Sequence, residues 1–143
     1  MNEEKIVEFL VRVPLFHGLN KRQLQKLANR IMTREYEPGQ EIVTQGKGGE
    51  GIFIIASGSV QVVRERRDGS KITLNSFGPT DFFGELALLD EGRRTASVVA
   101  AEKTTCLSLT RWDFLGILKD DAEMAIVVAE ELARRFRAAL EAL

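Results

Sequence analysis

Apolar positions at the start of the chain recur with helical spacing. Ile6, Leu10 and Val13 fall at i, i+4 and i+7, the stripe that one face of an α-helix turns toward a core. The run breaks at Val13-Pro14-Leu15-Phe16, where proline removes a backbone donor. Asn20, with Gln23 three residues on, has the form of a capping box ahead of Leu24, Leu27 and Ile31. Residues 1–33 are therefore predicted to be helical.

The pattern changes over residues 34–110. Short β-branched runs (Ile52 to Ile55, Val60 to Val63, Ile72 to Leu74, Ser97 to Ala100, Cys106 to Leu109) alternate with turn clusters. The turns are Pro38-Gly39, the glycine-rich Gly46 to Gly51, Ser57-Gly58, Asp68-Gly69 and Gly78-Pro79. Such spacing predicts an antiparallel sandwich or barrel and argues against βαβ units. Asp68-Gly69 is the clearest hairpin signal.

From Arg111 the helical period returns, over residues 111–143. Trp112 to Leu118 reads as a short helix, and Asp120-Asp121 as a cap for the next. Ala125, Val128, Leu132, Phe136, Ala139 and Leu143 then recur every three or four residues. About 20 residues of helix span roughly 30 Å, long for so small a chain. A second apolar line (Val127, Ala133, Leu140) predicts that one side packs on the strands and another on a partner helix.

Composition narrows the chemistry. The 143 residues fit one compact domain, 1–143. A net charge of −1 gives no basic footprint for nucleic acid, yet one arginine can still hold a small anion. Cys106 and His17 are the only cysteine and histidine. That excludes an internal disulfide and a cysteine-rich zinc or iron–sulfur site, and it deprives a cupin-type metal centre of its histidines. No metal or cofactor is expected. With no apolar stretch of about 18 residues and no signal segment, the expected location is cytoplasmic, off the membrane.

The stretch Asp81 to Ala96 carries the candidate chemistry. Glu85 lies between Phe82-Phe83 and Leu86 to Leu89, where a carboxylate is costly without hydrogen-bond donors. Gly84 permits a tight backbone. A helical turn over Leu86 to Leu89 would turn its first N–H groups outward as an anion site. Arg94 follows Gly92, and its planar fork suits two phosphate oxygens. An acceptor, several donors and a fixed cation are what a sugar joined to a phosphate requires.

These residues resemble a known family. Phe83-Gly84-Glu85-Leu86-Ala87-Leu88 with Arg94-Thr95-Ala96 is similar to the phosphate-binding cassette of cyclic-nucleotide-binding domains. Val13-Pro14-Leu15-Phe16 with Leu19, Pro38-Gly39-Gln40 with Ile42, and Ile52 to Gly58 resemble the family's opening motif, early strand turn and central strand. The resemblance covers nearly the whole chain. It implies a mainly β fold, an antiparallel β jelly roll or barrel with N-terminal helices, a cassette over 82–96 and a long C-terminal helix.

The resemblance also implies roles. Glu85 would accept a hydrogen bond from the ribose 2′-hydroxyl of cAMP or cGMP. The N–H groups of Gly84, Leu86 and Ala87 would face the cyclic phosphate, and Arg94 rather than Arg93 would pair with it. Thr95, beside Ala96, would reach phosphate or a guanine amino group without deciding the base. Leu88 or Leu89 would repack against a hinge at Phe114, Leu115 and Leu118, while Arg134, Arg135 and Phe136 supply a lid over the base. The implied activity is ligand sensing without catalysis. A homodimer through the last helix and an output domain outside this chain are compatible with it, whereas a helix-turn-helix for DNA is not encoded here. Iron–sulfur and haem versions of the family lack their ligands in this sequence. The rival readings are a jelly-roll isomerase or dioxygenase, and a nucleotide-independent dimerisation module.

Overall fold

The computed structural model describes residues 1–47, 51–90 and 92–143. Gly48 to Glu50 of the glycine-rich turn and Glu91 of the cassette lie outside the described residues. The chain divides into a β unit, Met32–Arg111, and a helical unit made of Met1–Ile31 and Trp112–Leu143.

Eight strands build the β unit: β1 Met32–Tyr36, β2 Glu41–Val43, β3 Gly51–Ser57, β4 Val60–Glu65, β5 Lys71–Phe77, β6 Phe82–Phe83, β7 Ser97–Ala100 and β8 Thr104–Thr110. They form two antiparallel sheets, ordered β1-β8-β3-β6 and β2-β7-β4-β5. The barrel alternative is corrected here. No strand ladder among the described residues joins the two sheets. They share an apolar interior of Tyr36, Phe53, Ile55, Phe83 and Cys106 from one sheet and Val60, Val98 and Ala100 from the other. Alternation along each strand sends these side chains inward, so burial of apolar area does the work that closure by hydrogen bonds would do in a barrel.

Central strand β3 is buried from Gly51 through Ile55 on both faces, which explains its unbroken apolar run. The β4–β5 hairpin turns at Asp68-Gly69, as predicted. Arg66 N–H donates to Ser70 C=O (2.8 Å), and the Ser70 N–H and hydroxyl both donate to Asp68 Oδ1 (2.9 and 2.6 Å). The Ser70 hydroxyl in turn holds the Asp68 carboxyl below its ordinary range.

Four helices, α1 Glu3–Leu10, α2 Lys21–Ala28, α3 Arg111–Asp120 and α4 Ala122–Glu141, account for most of the helical unit. The Asn20 capping box forms in full: Gln23 N–H donates to Asn20 Oδ1 and Asn20 N–H to Gln23 Oε1, each at 2.9 Å. Asp121 caps α4 through Met124 N–H (3.0 Å) and takes an ion pair from Lys26 on α2 at 3.0 Å. That backbone donor first, and Lys26 second, hold the Asp121 carboxyl below its usual range. Phe16 packs on Phe114 with ring centroids 6.0 Å apart. At Gly18 a β-carbon would come within 2.5 Å of Val127 Cγ1, so α4 seats directly on that backbone.

The apolar lines predicted along α4 divide. Val128 is buried with Met124 and Glu131, whereas Phe136, Ala139 and Leu143 are exposed. Exposed apolar positions instead run Ile126, Ala129, Ala133, Phe136, Leu140, Leu143, alternating steps of three and four residues. None of the described helices is long and apolar enough to cross a membrane.

Burial pushes the Cys106 thiol up to about 12, from 9.0 for a free thiol. Because the folded value is the higher one, this group's contribution to stability is complete below pH 9 and fades as pH rises toward 12. Native protein at pH 8 is expected to react slowly with a disulfide reagent, and urea-unfolded protein rapidly. Equal rates would place the thiol at the surface.

Candidate ligand site in the β unit

The site is built from β6 outward. Phe83 pairs with Phe53 across the β3–β6 ladder, and their rings stack at 5.2 Å and 10°. This fixes the direction in which the chain leaves β6. Gly84 then takes φ +81°, left-handed backbone that a side chain resists, and caps a 3-10 turn over Glu85–Leu88. The turn thus begins one residue earlier than the predicted Leu86 to Leu89, because the left-handed glycine supplies its cap. Ala87 N–H donates to Gly84 C=O at 3.0 Å. In this structure the Ala87 donor, one of the three expected to face a phosphate, serves the turn itself. The N–H groups of Gly84, Glu85 and Leu86 precede the first bond of the turn, and these are the positions a helical turn leaves without an internal partner.

Burial along the turn alternates usefully. Ala87 and Leu88 are buried, anchoring it to the β unit, while Leu86 is 58% exposed and Glu85 half-buried. The chain returns through Gly92, whose N–H donates to Asp90 Oδ1 (3.0 Å), and reaches Arg94. Two backbone bonds clamp Arg94 to the turn that follows β2: its N–H donates to Lys47 C=O and its C=O accepts from Gly46 N–H, both at 2.8 Å.

Arg94 Nη2 donates to Gly51 C=O at 2.7 Å. A β-carbon on Gly84 would sit 2.5 Å from Arg94 Nη1 and 2.7 Å from that same Gly51 oxygen. Glycine at 84 is therefore what lets the guanidinium lie against the start of β3. Gly51 adds a second constraint, since at φ +146° its missing β-carbon would overlap the Leu109 carbonyl.

The structure brings together Phe83, Gly84, Glu85, Leu86 and Arg94 in this corner, and Ala96 is half-buried. Arg93 and Thr95 are exposed. Leu88 is fully buried and Leu89 half-buried within the β unit. In the helical unit Phe114 is fully buried against Phe16, and Leu115 and Leu118 are half-buried. Arg134 is held by Glu131 (3.1 and 3.2 Å), Arg135 is half-buried and Phe136 is 66% exposed. Sequence reasoning missed Gly51 and Lys47, whose carbonyls position Arg94. Their only signal was the glycine-rich turn.

The corner thus holds an arginine laid against a glycine, a 3-10 turn with a glycine cap and, at its first position, a half-buried glutamate. Residues 33–121 match the sequence profile of the cyclic nucleotide-binding domain. The chain belongs to the cyclic-nucleotide-binding domain family. It is 40% identical over 126 residues to the Cyclic AMP receptor protein of Thermus thermophilus, an alignment covering 88% of this chain and 58% of that protein. Among solved structures it resembles the N-terminal domain of a transcriptional regulator from Streptomyces coelicolor A3(2) (TM-score 0.87, 30% identity, 94% of this chain and 96% of that one). It also resembles the regulatory subunit of a cAMP-independent protein kinase A from Trypanosoma brucei (TM-score 0.74, 32% identity, 94% and 47%). The chain spans about 58% of the length of the curated relatives it matches.

In this cyclic-nucleotide-binding domain Gly84→Ala tests the corner directly. The substitution combines an unfavourable φ with a clash against the guanidinium, so it should destabilise the protein by about 1–3 kcal/mol. A urea midpoint equal to that of the native protein would show that Gly84 and Arg94 do not share this space.

Proposed function

We propose that the β unit binds a cyclic nucleotide, cAMP or cGMP, and that the protein is a sensor without catalytic activity. The observation that carries the reading is the Arg94 guanidinium, held on the Gly51 carbonyl against the backbone of Gly84. A cation fixed in advance binds phosphate without paying to order a long side chain. Arg94 pairs with the cyclic phosphate, the N–H groups of Gly84 and Leu86 donate to it, and Glu85 accepts from the ribose 2′-hydroxyl. Phe83 and Ala96 wall the pocket, and exposed Thr95 adds a hydroxyl at its rim. Family membership alone does not fix the ligand, because one relative is named as a cAMP-independent kinase subunit. The intact glutamate and arginine are what favour a nucleotide here.

Signalling follows from a population shift toward the state that the ligand binds more tightly. We place the moving contact at Leu88 or Leu89 against Phe114, Leu115 and Leu118, with Arg134, Arg135 and Phe136 closing over the base. The two-sheet arrangement is read as a jelly roll, working in the cytoplasm. The regulator names of the curated relatives and the share of them that is matched support a sensor module of a larger regulator. For assembly, the exposed positions Ile126, Ala129, Ala133, Phe136, Leu140 and Leu143 on α4 alternate steps of three and four, the seam of a two-stranded coiled coil. We read this face as a homodimer contact.

Calorimetric titration with cAMP and cGMP tests the ligand. At least one is expected to bind, and Arg94→Ala should weaken that binding by more than about thirtyfold, the loss typical of one partner of a buried charge pair. Binding unchanged in Arg94→Ala, or absent from the native protein, would refute the cassette reading. For the seam, light scattering should report a dimer that Leu140→Asp converts to monomer, while a native monomer would rule the seam out.

A further inference from the structure

The turn after β2 has little strand to hold it. Strand β2 is three residues long, and its ladder to β7 ends at Val43, opposite Val98. Yet this turn sets Arg94, because Lys47 C=O and Gly46 N–H hold the arginine's backbone. The turn closes on itself through Lys47 N–H, which donates to Thr44 C=O at 3.2 Å. The residue between them, Gln45, fixes it to the sheet.

Half-buried Gln45 makes three bonds to two other strands. Its backbone N–H donates to Ser97 Oγ at 2.9 Å, at the start of β7. Its side chain engages the backbone of Glu65 twice. Nε2 donates to Glu65 C=O at 3.0 Å, and Oε1 accepts from Glu65 N–H at 2.7 Å. The β4–β7 ladder runs from Val60 to Val63, where Val63 faces Ser97, the first residue of β7. Glu65 lies beyond that end. A carboxamide carries a carbonyl acceptor and N–H donors, as a peptide group does. The Gln45 side chain therefore takes the place of the next strand residue and carries the sheet past the start of β7.

A hydrogen bond adds little net stability, since folding exchanges it for bonds to water. Two bonds to one residue do fix a position. Through them the β4–β5 hairpin is tied to the turn, and the turn is tied to Arg94.

We infer that Gln45 is a positioning residue for Arg94, and that it couples the β4–β5 hairpin to binding of the cyclic phosphate. Gln45 touches no ligand in this scheme; it holds the turn on which the arginine's backbone rests. This role rests on the cyclic-nucleotide reading above and concerns regulation of that same site. Coupling between two sites is reciprocal. If the Glu65 bonds favour the bound state, a bound nucleotide must favour the Glu65 bonds.

Titration calorimetry with cAMP and cGMP compares native protein with two variants, each confirmed as folded by circular dichroism. Gln45→Met keeps the side-chain length and loses both bonds to Glu65. Ser70→Ala loosens the same hairpin at its tip, where the hydroxyl donates to Asp68. Gln45→Met should weaken nucleotide binding by about fivefold or more, the lower end of coupling between sites. Ser70→Ala should bind as native protein does. Hydrogen exchange followed by NMR on native protein reads the reverse direction. Saturating nucleotide should slow exchange of the Glu65 amide. The Ser70 amide, bonded to Asp68 Oδ1, should keep its rate in the ligand-free protein. Native affinity in Gln45→Met, equal losses in the two variants, or Glu65 exchange indifferent to nucleotide would each overturn the coupling and leave the cassette reading standing. If neither nucleotide binds native protein, both readings fall. Should Gln45→Met not fold, the exchange measurement on the native chain still decides.

Discussion

Arg94 reaches the Gly51 carbonyl only because residue 84 has no side chain to stand between them. Three segments far apart in sequence depend on that contact. Gly51 opens the central strand β3, Gly84 leaves β6, and Arg94 leads into β7 while its backbone is clamped to the turn after β2. The two sheets share no ladder among the described residues. Through Arg94 they acquire a polar fastening in addition to their common apolar interior. A guanidinium anchored on a peptide carbonyl is also pre-oriented, which reduces the ordering cost an anion must otherwise meet.

Much of this architecture was legible in the residues. The Asn20 capping box, the break at Pro14, the Asp68-Gly69 turn and the run Ser97 to Ala100 all carry local physical signals, and each is present in the structure. Other features were not legible because their causes are long-range. Strand β6 has only two residues, too few for any period to declare itself, and it exists because Phe83 stacks on Phe53. Along α4 composition alone could not distinguish the buried side from the open one. Glu131 is buried, held near Arg134 and 3.9 Å from His17, whereas Phe136 is exposed. Apolar identity predicted the reverse.

The cassette shows the same division. The residue types at 84, 85 and 94 point to an anion with an adjoining sugar, since few other ligands call for a fixed cation, a tight backbone and an acceptor so close together. Which donors remain for that ligand depends on where the turn begins, and a shift of one residue commits the Ala87 N–H to Gly84.

The helical unit is assembled from both ends of the chain. Lys26 on α2 grips the cap of α4, Phe16 packs on Phe114, and Gly18 receives Val127. The β unit, by contrast, is one continuous stretch, Met32–Arg111. During synthesis the strands therefore emerge complete from the ribosome while the first helices still await their partners. Folding units generally form as soon as their residues are available, so the β unit can form before α3 and α4 have been made. Until α3 and α4 have been made, Phe16 lacks Phe114, Gly18 lacks Val127 and Lys26 lacks Asp121, so the N-terminal segment waits unpartnered through the synthesis of the whole β unit.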